Sequence, residues 1–167
     1  MNYLLFFLNI EVELYIRILL GAVLGFLIGM DRGYKNKPAG VKTFMYVTVA
    51  STLLTIISIE SVGRYGEINH LVRMDPLRLA AQIVSGLGFL GAGVILKDGL
   101  EVRGLTTAAM ILFAGGVGIG IGAGYYGVVI FAMFSSLILA RIGEKLEKVL
   151  RKKEIIDPPS NSNRSEG

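Results

Sequence analysis

The strongest constraint in this sequence is a series of five apolar segments separated by short charged stretches. Each segment has about 15–18 residues, which is the short end of what crosses a lipid bilayer. Backbone polar groups in lipid must be paired within the segment, which requires helices, and these segments lack the alternation of membrane β-barrel strands. We therefore predict an all-α integral membrane protein, a bundle of five short glycine-rich transmembrane helices at residues 14–30, 43–59, 79–96, 105–122 and 126–140.

The segments that flank this 14–140 transmembrane domain have a different character. Residues 1–13 include Glu11 and Glu13 and lack the basic start of a cleavable signal, so we predict a segment at the membrane surface. Residues 141–154 predict a basic amphipathic helix, which suits either an anionic lipid surface or a partner protein. Residues 155–167 are polar, contain two prolines and are predicted to be disordered.

The distribution of basic residues predicts the orientation in the membrane. Twelve lysines and arginines lie in segments 31–42, 97–104 and 141–153, which face one side of a five-span chain. The opposite side holds Arg64, Arg73 and Arg78. Because basic residues accumulate on the cytoplasmic side, we expect the N-terminus outside and the C-terminus in the cytoplasm. The net charge of +4 therefore indicates orientation, and we expect no nucleic-acid partner.

The sequence offers little basis for catalysis or for a cofactor. Hydrophobic residues make up 53% of the chain, and it contains no cysteine and one histidine, His70. The stretch from Gly86 to Gly91 matches GxGxxG, but it lies inside an apolar segment rather than between a strand and a helix. We therefore expect a protein that is not an enzyme and has no catalytic, metal or cofactor site.

Small residues recur at every fourth position in three of the segments. Such residues let helix backbones approach closely in a membrane, so we predict that they form helix-packing surfaces. The predicted packing residues are Gly21, Gly25 and Gly29 in the first helix, Gly86, Gly88, Gly91 and Gly93 in the third, and Gly116, Gly120 and Gly124 in the fourth. A neighbouring face of the fourth helix carries Ala114, Gly118 and Gly122.

Polar residues mark the start of the third helix. Asp75 followed by Pro76 is a typical helix start, and Arg78, Gln82 and Ser85 follow on the same face. An amide in lipid needs a partner, so Gln82 either joins two helices or lines a polar site.

The second helix carries a stripe of hydroxyl groups. These side chains either bond to carbonyls of their own helix or form a wetted face opposite Gln82. The stripe comprises Thr48, Ser51, Thr52, Thr55 and Ser58.

Charged groups gather at the predicted cytoplasmic ends of the helices. We interpret Asp31 as paired with Arg103, with Arg32 or Lys42 as competing partners, in a salt-bridged latch; an ion or ligand site is the alternative. The candidate polar cluster as a whole comprises Asp31, Arg32, Lys42, Thr43, Asp75, Arg78, Gln82, Ser85, Arg103, Thr106 and Thr107.

Three stretches carry a resemblance to a known family. They are LLGAVLGFLIGMDRGYKNKPAGVKT, DPLRLAAQIVSGLGFLGAGVILKDG and VRGLTTAA. Over residues 14–140 the chain resembles the MgtC/SapB family of bacterial and archaeal membrane proteins. The resemblance implies five spans, an inner-membrane location, and a link to growth in low magnesium, to acid resistance and to survival inside hosts.

The resemblance also implies partners. Some family members act by binding the rotary ATP synthase or other membrane proteins. Many members carry Glu at the position of Asp31, and some carry Asn at the position of Thr106. The virulence-related members have a further soluble domain, whose functions are not carried over here.

These observations lead to three hypotheses of function. We expect a regulatory membrane protein of magnesium and pH homeostasis that acts through helix contacts with a partner. The chain is also a candidate for homo-oligomerisation. The alternative is a transporter or channel for a cation or small solute along the polar faces of helices two and three. A scaffold protein without a solute site is the third.

Overall fold

The chain is almost entirely helical. The computed structural model describes residues 2–33, 38–66, 75 and 77–156, and the side chains of residues 11–30, 32, 38–63, 75 and 78–150. Within these residues the chain forms five helices and one short hairpin, which confirms the predicted all-α membrane fold. The elements are α1 (Asn2–Gly33), α2 (Val41–Gly66), α3 (Leu77–Val94), β1 (Leu96–Asp98), β2 (Glu101–Arg103), α4 (Leu105–Gly122) and α5 (Tyr126–Ile156).

Four stretches of these helices are long and apolar enough to cross a membrane: Glu11–Met30, Val41–Gly63, Leu105–Gly122 and Tyr126–Leu150. The apolar part of α3, Arg78–Val94, is shorter and lies near the lower limit of about 17 residues for a span. The fifth crossing and the orientation of the termini therefore stay predictions. Many large apolar side chains on α1, α2 and α5 are exposed, as expected where helices face lipid.

The helices extend beyond the apolar segments of the sequence. The predicted surface segment is continuous with the first span, since α1 begins at Asn2. The predicted basic helix 141–154 is likewise part of α5 rather than a separate element. Residues 157–167, which include most of the predicted disordered tail, lie outside the described residues.

A short antiparallel hairpin joins α3 to α4, where we predicted a loop without strands. Leu96 pairs with Arg103 and Asp98 with Glu101. Leu96 therefore belongs to a strand rather than to the end of the third helix. Gly99 has φ +59°, which suits a two-residue hairpin loop that needs a positive φ at its first central position.

Helices α1 to α4 and the start of α5 form one compact unit, and the remainder of α5, from Ile130, forms a second. In the first unit α2 is central and packs against α1, α3 and α4. Gly25 of α1 lies so close to α2 that a Cβ on it would stand 2.8 Å from the Met45 Cα. A Cβ on Gly29 would stand 2.5 Å from the Val41 Cα. The glycine stripe of α1 is thus what lets the two backbones approach.

Candidate functional site

An open groove lies between α2 and α3. Its volume is about 570 Å³, within the range of roughly 300–1,000 Å³ that is common for ligand pockets. Most of its lining is apolar, and Ser51 and Gln82 contribute polar side chains from opposite walls. The lining residues are Tyr46, Val47, Ala50, Ser51 and Leu54 from α2, and Leu79, Gln82, Ile83, Gly86, Leu87 and Leu90 from α3.

Helical spacing explains both walls of the groove. Residues three and four apart share one face of a helix, so the lining positions of α3 follow one another along a single stripe. Val47, Ile83 and Leu87 are buried and form the floor, whereas Leu54 and Leu90 are exposed at the rim. The groove is therefore an apolar channel on the side of the bundle, open to the surroundings of the helices.

Gly86 leaves one position of the α3 side of the groove without a side chain. Gly86 is exposed, and a Cβ on it would meet no other atom within 4 Å. Empty space at this position means that a larger side chain would enter the groove without displacing a neighbouring helix.

The hydroxyl stripe of α2 lies mainly at the interface with α4. Thr48 Oγ1 donates a hydrogen bond to the Phe44 carbonyl at 2.9 Å, and Thr52 Oγ1 donates to the Thr48 carbonyl at 2.9 Å. Thr52 Oγ1 also reaches the Gly118 carbonyl of α4 at 3.1 Å. For these threonines the observed geometry is hydrogen bonding to helix carbonyls rather than a wetted face.

Ser51 is the member of that stripe that lines the groove together with Gln82. Ser51 and Gln82 thus belong to one groove, and a direct juxtaposition of the two side chains stays a prediction. The other polar positions of α3 do not contribute to it. Arg78 and Ser85 are exposed outside the lining, and the Arg78 amide bonds to the Asp75 carbonyl at 3.2 Å.

The predicted packing glycines divide into two groups. Gly21, Gly25 and Gly29 lie directly against α2, Gly91 lies against Ala108 of α4, Gly120 lies against Val129, and Gly124 lies near Arg17. Around Gly86, Gly88, Gly93 and Gly116 a Cβ would meet open space, so these four do not mediate close packing between the described helices.

The close contact of α4 with α2 uses the neighbouring stripe instead. A Cβ on Gly118 would collide with the Thr48 carbonyl, and one on Gly122 would lie 2.7 Å from the Thr52 carbonyl. Ala114 of the same stripe is fully buried. The face of α4 that packs against α2 is therefore the one that carries Ala114, Gly118 and Gly122, and not the one that carries Gly116.

Two of the charged groups at the predicted cytoplasmic end have described partners outside the predicted cluster. Arg103 bonds to Glu101 Oε2 at 2.8 Å within the exposed hairpin. Arg32 is buried and donates from Nε to the Met110 sulfur of α4. The Asp31 side chain lies outside the described residues, so its pairing stays a prediction, while Arg103 has found another partner.

The remaining members of the predicted cluster differ in burial. Lys42, Thr43 and Thr106 are exposed, whereas Thr107 is buried in the bundle. None of these four residues lines the groove.

The sequence analysis missed a second polar cluster at the other end of the bundle. Arg17 pairs with Glu13 one turn earlier in α1 and donates to the Gly122 carbonyl at the end of α4. Tyr126 donates to Glu13 Oε1 at 3.3 Å and places its ring near the guanidinium. The i,i+4 spacing of Glu13 and Arg17 was the available signal, but it gave no indication of the contact with α4.

The fold and the groove together define a helical, multi-pass membrane protein with closely packed glycine-rich helices and an apolar groove on one side. Residues 18–149 match the MgtC family, to which this chain belongs.

Relatives with names include Protein SapB of Bacillus subtilis, 43% identical over 145 residues, and Protein MgtC of Brucella abortus, 44% identical over 104 residues. A third, "Putative magnesium transporter YhiD" of Escherichia coli, is 37% identical over 134 residues. These alignments cover 86%, 61% and 80% of this chain and 60%, 39% and 62% of SapB, MgtC and YhiD. The chain thus spans about three fifths of SapB and YhiD. No solved structure matches it.

Proposed function

We propose that this protein is a regulatory membrane protein of magnesium homeostasis, which binds a helix of another membrane protein in the groove between α2 and α3. The observation that carries the proposal is the groove itself, about 570 Å³ in volume, apolar and open on the side of the bundle. Within a membrane, an apolar groove of this kind can be filled by an apolar helix of complementary shape.

The chemistry of the groove favours a transmembrane helix as its occupant. Helices associate in lipid through close packing next to small residues, with occasional hydrogen bonds between helices. Gly86 supplies the small residue with open space beside it, and Gln82 supplies an amide that can bond across the interface. Leu54 and Leu90 at the rim extend the apolar contact. A partner helix with small and aliphatic side chains fits this surface.

The link to magnesium rests on the relatives. The chain belongs to the MgtC family, and one relative bears a name that describes a magnesium transporter. Acid resistance and a partner such as the rotary ATP synthase, both implied by the resemblance of the sequence, belong to the same proposal.

Direct transport of a cation is the second candidate function. The observation that favours it is that Ser51 of α2 and Gln82 of α3 both line the groove. The other buried hydroxyls of α2 are engaged with carbonyls of α2 and α4, so they do not extend this polar pair into a continuous pathway.

Gly86→Leu tests the groove, with Gly116→Leu as the matched control. Both glycines are exposed within helices and have open space at the Cβ position, so both leucines fit without forcing helices apart. Gly86 lines the groove and Gly116 does not. In a strain without the native gene, we expect Gly86→Leu to abolish the support of growth in low magnesium and Gly116→Leu to preserve it.

Each variant is also purified, to show that it folds and inserts normally. Equal growth with Gly86→Leu and the unmodified chain contradicts a role for the groove. The unmodified protein, reconstituted in liposomes with an enclosed magnesium-sensitive dye, separates the two candidates. We expect no magnesium flux, whereas flux that Gly86→Leu blocks assigns the groove to transport.

A further inference from the structure

Residues 141–150 of α5 carry a continuous apolar face. Ile142, Leu146, Val149 and Leu150 are 47%, 57%, 65% and 66% exposed. At 3.6 residues per turn these four side chains lie on one side of the helix. Residues 141–150 are the C-terminal part of the apolar stretch Tyr126–Leu150, and five of these ten residues are charged. An apolar stripe of this size beside so many charged groups indicates a contact surface rather than a segment buried in lipid.

The charges around this stripe are ordered. Arg141 and Lys145 follow one edge of the apolar face, Glu147 lies near the opposite edge, and Glu144 and Lys148 lie farther from the face. The five charged side chains are exposed. Residues 141–153 contain six basic and two acidic residues, and a helix with an apolar face and an excess of basic groups matches the chemistry of an anionic bilayer surface.

We propose that residues 141–150 bind the surface of a bilayer that contains anionic lipids. The apolar stripe enters the boundary between headgroups and acyl chains, and the basic edge contacts the lipid phosphates. The sequence continues with Arg151, Lys152 and Lys153, which adds cations at the same end. Gly143 lowers the helical propensity within the segment, which eases a bend of the helix toward the surface. This inference is independent of the groove between α2 and α3.

The absence of cysteine from the sequence makes a direct test simple. The full chain with Val149→Cys carries an environment-sensitive fluorophore and is reconstituted into vesicles of phosphatidylcholine alone or mixed with phosphatidylglycerol. We expect a shift of emission to shorter wavelength in the mixed vesicles, and its loss at high salt because screening weakens the attraction. The same label at Glu144→Cys, on the side of the helix opposite the apolar face, should keep the emission seen in water.

Charge variants test the basic edge. Lys145→Glu with Lys148→Glu should abolish the emission shift at position 149, and Lys145→Arg with Lys148→Arg should retain it. An identical shift in neutral and anionic vesicles overturns the proposal. A shift in neutral vesicles that disappears as the protein is diluted with lipid also overturns it, because the stripe then binds a second copy of the chain.

Discussion

Arg17 of α1 donates a hydrogen bond from Nη1 to the carbonyl oxygen of Gly122, the last residue of α4, over 2.7 Å. The final carbonyls of a helix lack hydrogen-bond donors within the helix and carry partial negative charge. A guanidinium supplies both a donor and a compensating positive charge. The same guanidinium stands 5.9 Å from the ring centroid of Tyr126, the first residue of α5. One arginine thus ties α1 to the turn between α4 and α5.

Loss of this arginine should destabilise the bundle. Arg17→Gln removes a charge-assisted bond to a part-buried carbonyl, and we expect a loss of about 1.5–3 kcal/mol in the free energy of unfolding. Reversible unfolding in mixed micelles measures it. Arg103→Gln is the control, because its exposed pair with Glu101 should contribute only about 0–1 kcal/mol. Equal effects of the two substitutions would contradict a structural role for Arg17.

Glycine substitutions on the two faces of α4 should have opposite effects. Gly118→Ala places a methyl group against the Thr48 carbonyl, and overpacking of this kind costs about 1–3 kcal/mol. Gly116→Ala meets open space, and the higher helical propensity of alanine should leave stability unchanged or raise it by up to about 1 kcal/mol. Unfolding measurements on both variants check the order. Gly25→Leu, against the backbone of α2, should prevent folding.

The sequence predicts the bounds of α4, but it does not predict which of its two glycine faces packs against α2. The bounds of α4 are those of the predicted fourth segment, because Gly104 precedes it and the chain turns at Gly124, both with positive φ. The choice between the stripes of Gly116 and Gly118 was not available from spacing, since both repeat every fourth residue. Only the position of α2 decides it.

Other differences have equally local causes. Polar residues such as Glu60 continue α2 beyond its apolar segment, so hydropathy alone ended the helix too early. The groove between α2 and α3 depends on how the two helices diverge, which no spacing within one helix encodes. Gln82 and the hydroxyl stripe were found as polar positions in lipid, but Ser51 was not distinguished from its buried threonine neighbours.

Removal of a hydroxyl from the interface of α2 and α4 should weaken it modestly. Thr52→Val keeps the shape of the side chain and deletes the bonds to the Thr48 and Gly118 carbonyls. Hydrogen bonds of this kind in membranes contribute about 0.6–2 kcal/mol, so we expect a loss in that range. Thr106→Val, at an exposed position of the same bundle, should change the unfolding free energy by less than about 0.5 kcal/mol. Thr52→Val without effect would show that the carbonyls find other donors.

The orientation of the chain is tested by reporter fusions. The twelve basic residues on one side and three on the other lead us to expect the C-terminus in the cytoplasm. Fusions after Lys37 and after Lys153 should both report a cytoplasmic location, because an even number of spans separates them when α3 crosses the membrane. Opposite locations for the two fusions would show that α3, with its shorter apolar stretch, does not span.

The last prediction concerns Asp31, in the final turn of α1. A carboxylate near the C-terminus of a helix opposes the helix dipole, so this position requires a neighbouring cation. Arg103 is exposed and bonds to Glu101, which leaves Arg32 or Lys42 as the expected partner.

Asp31→Asn should therefore lower stability and growth in low magnesium more than Asp98→Asn, whose carboxylate lies on the exposed hairpin. The loss should approach about 3–5 kcal/mol if the pair is buried. Double-mutant cycles identify the partner: Asp31→Asn and Arg103→Gln should add within about 0.5 kcal/mol, whereas a partner in contact should show a larger coupling. Recovery of stability by the exchange of Asp31→Arg with Arg103→Asp would instead restore Arg103 as the partner. An Asp31→Asn variant with unchanged stability and growth would remove any role for this carboxylate.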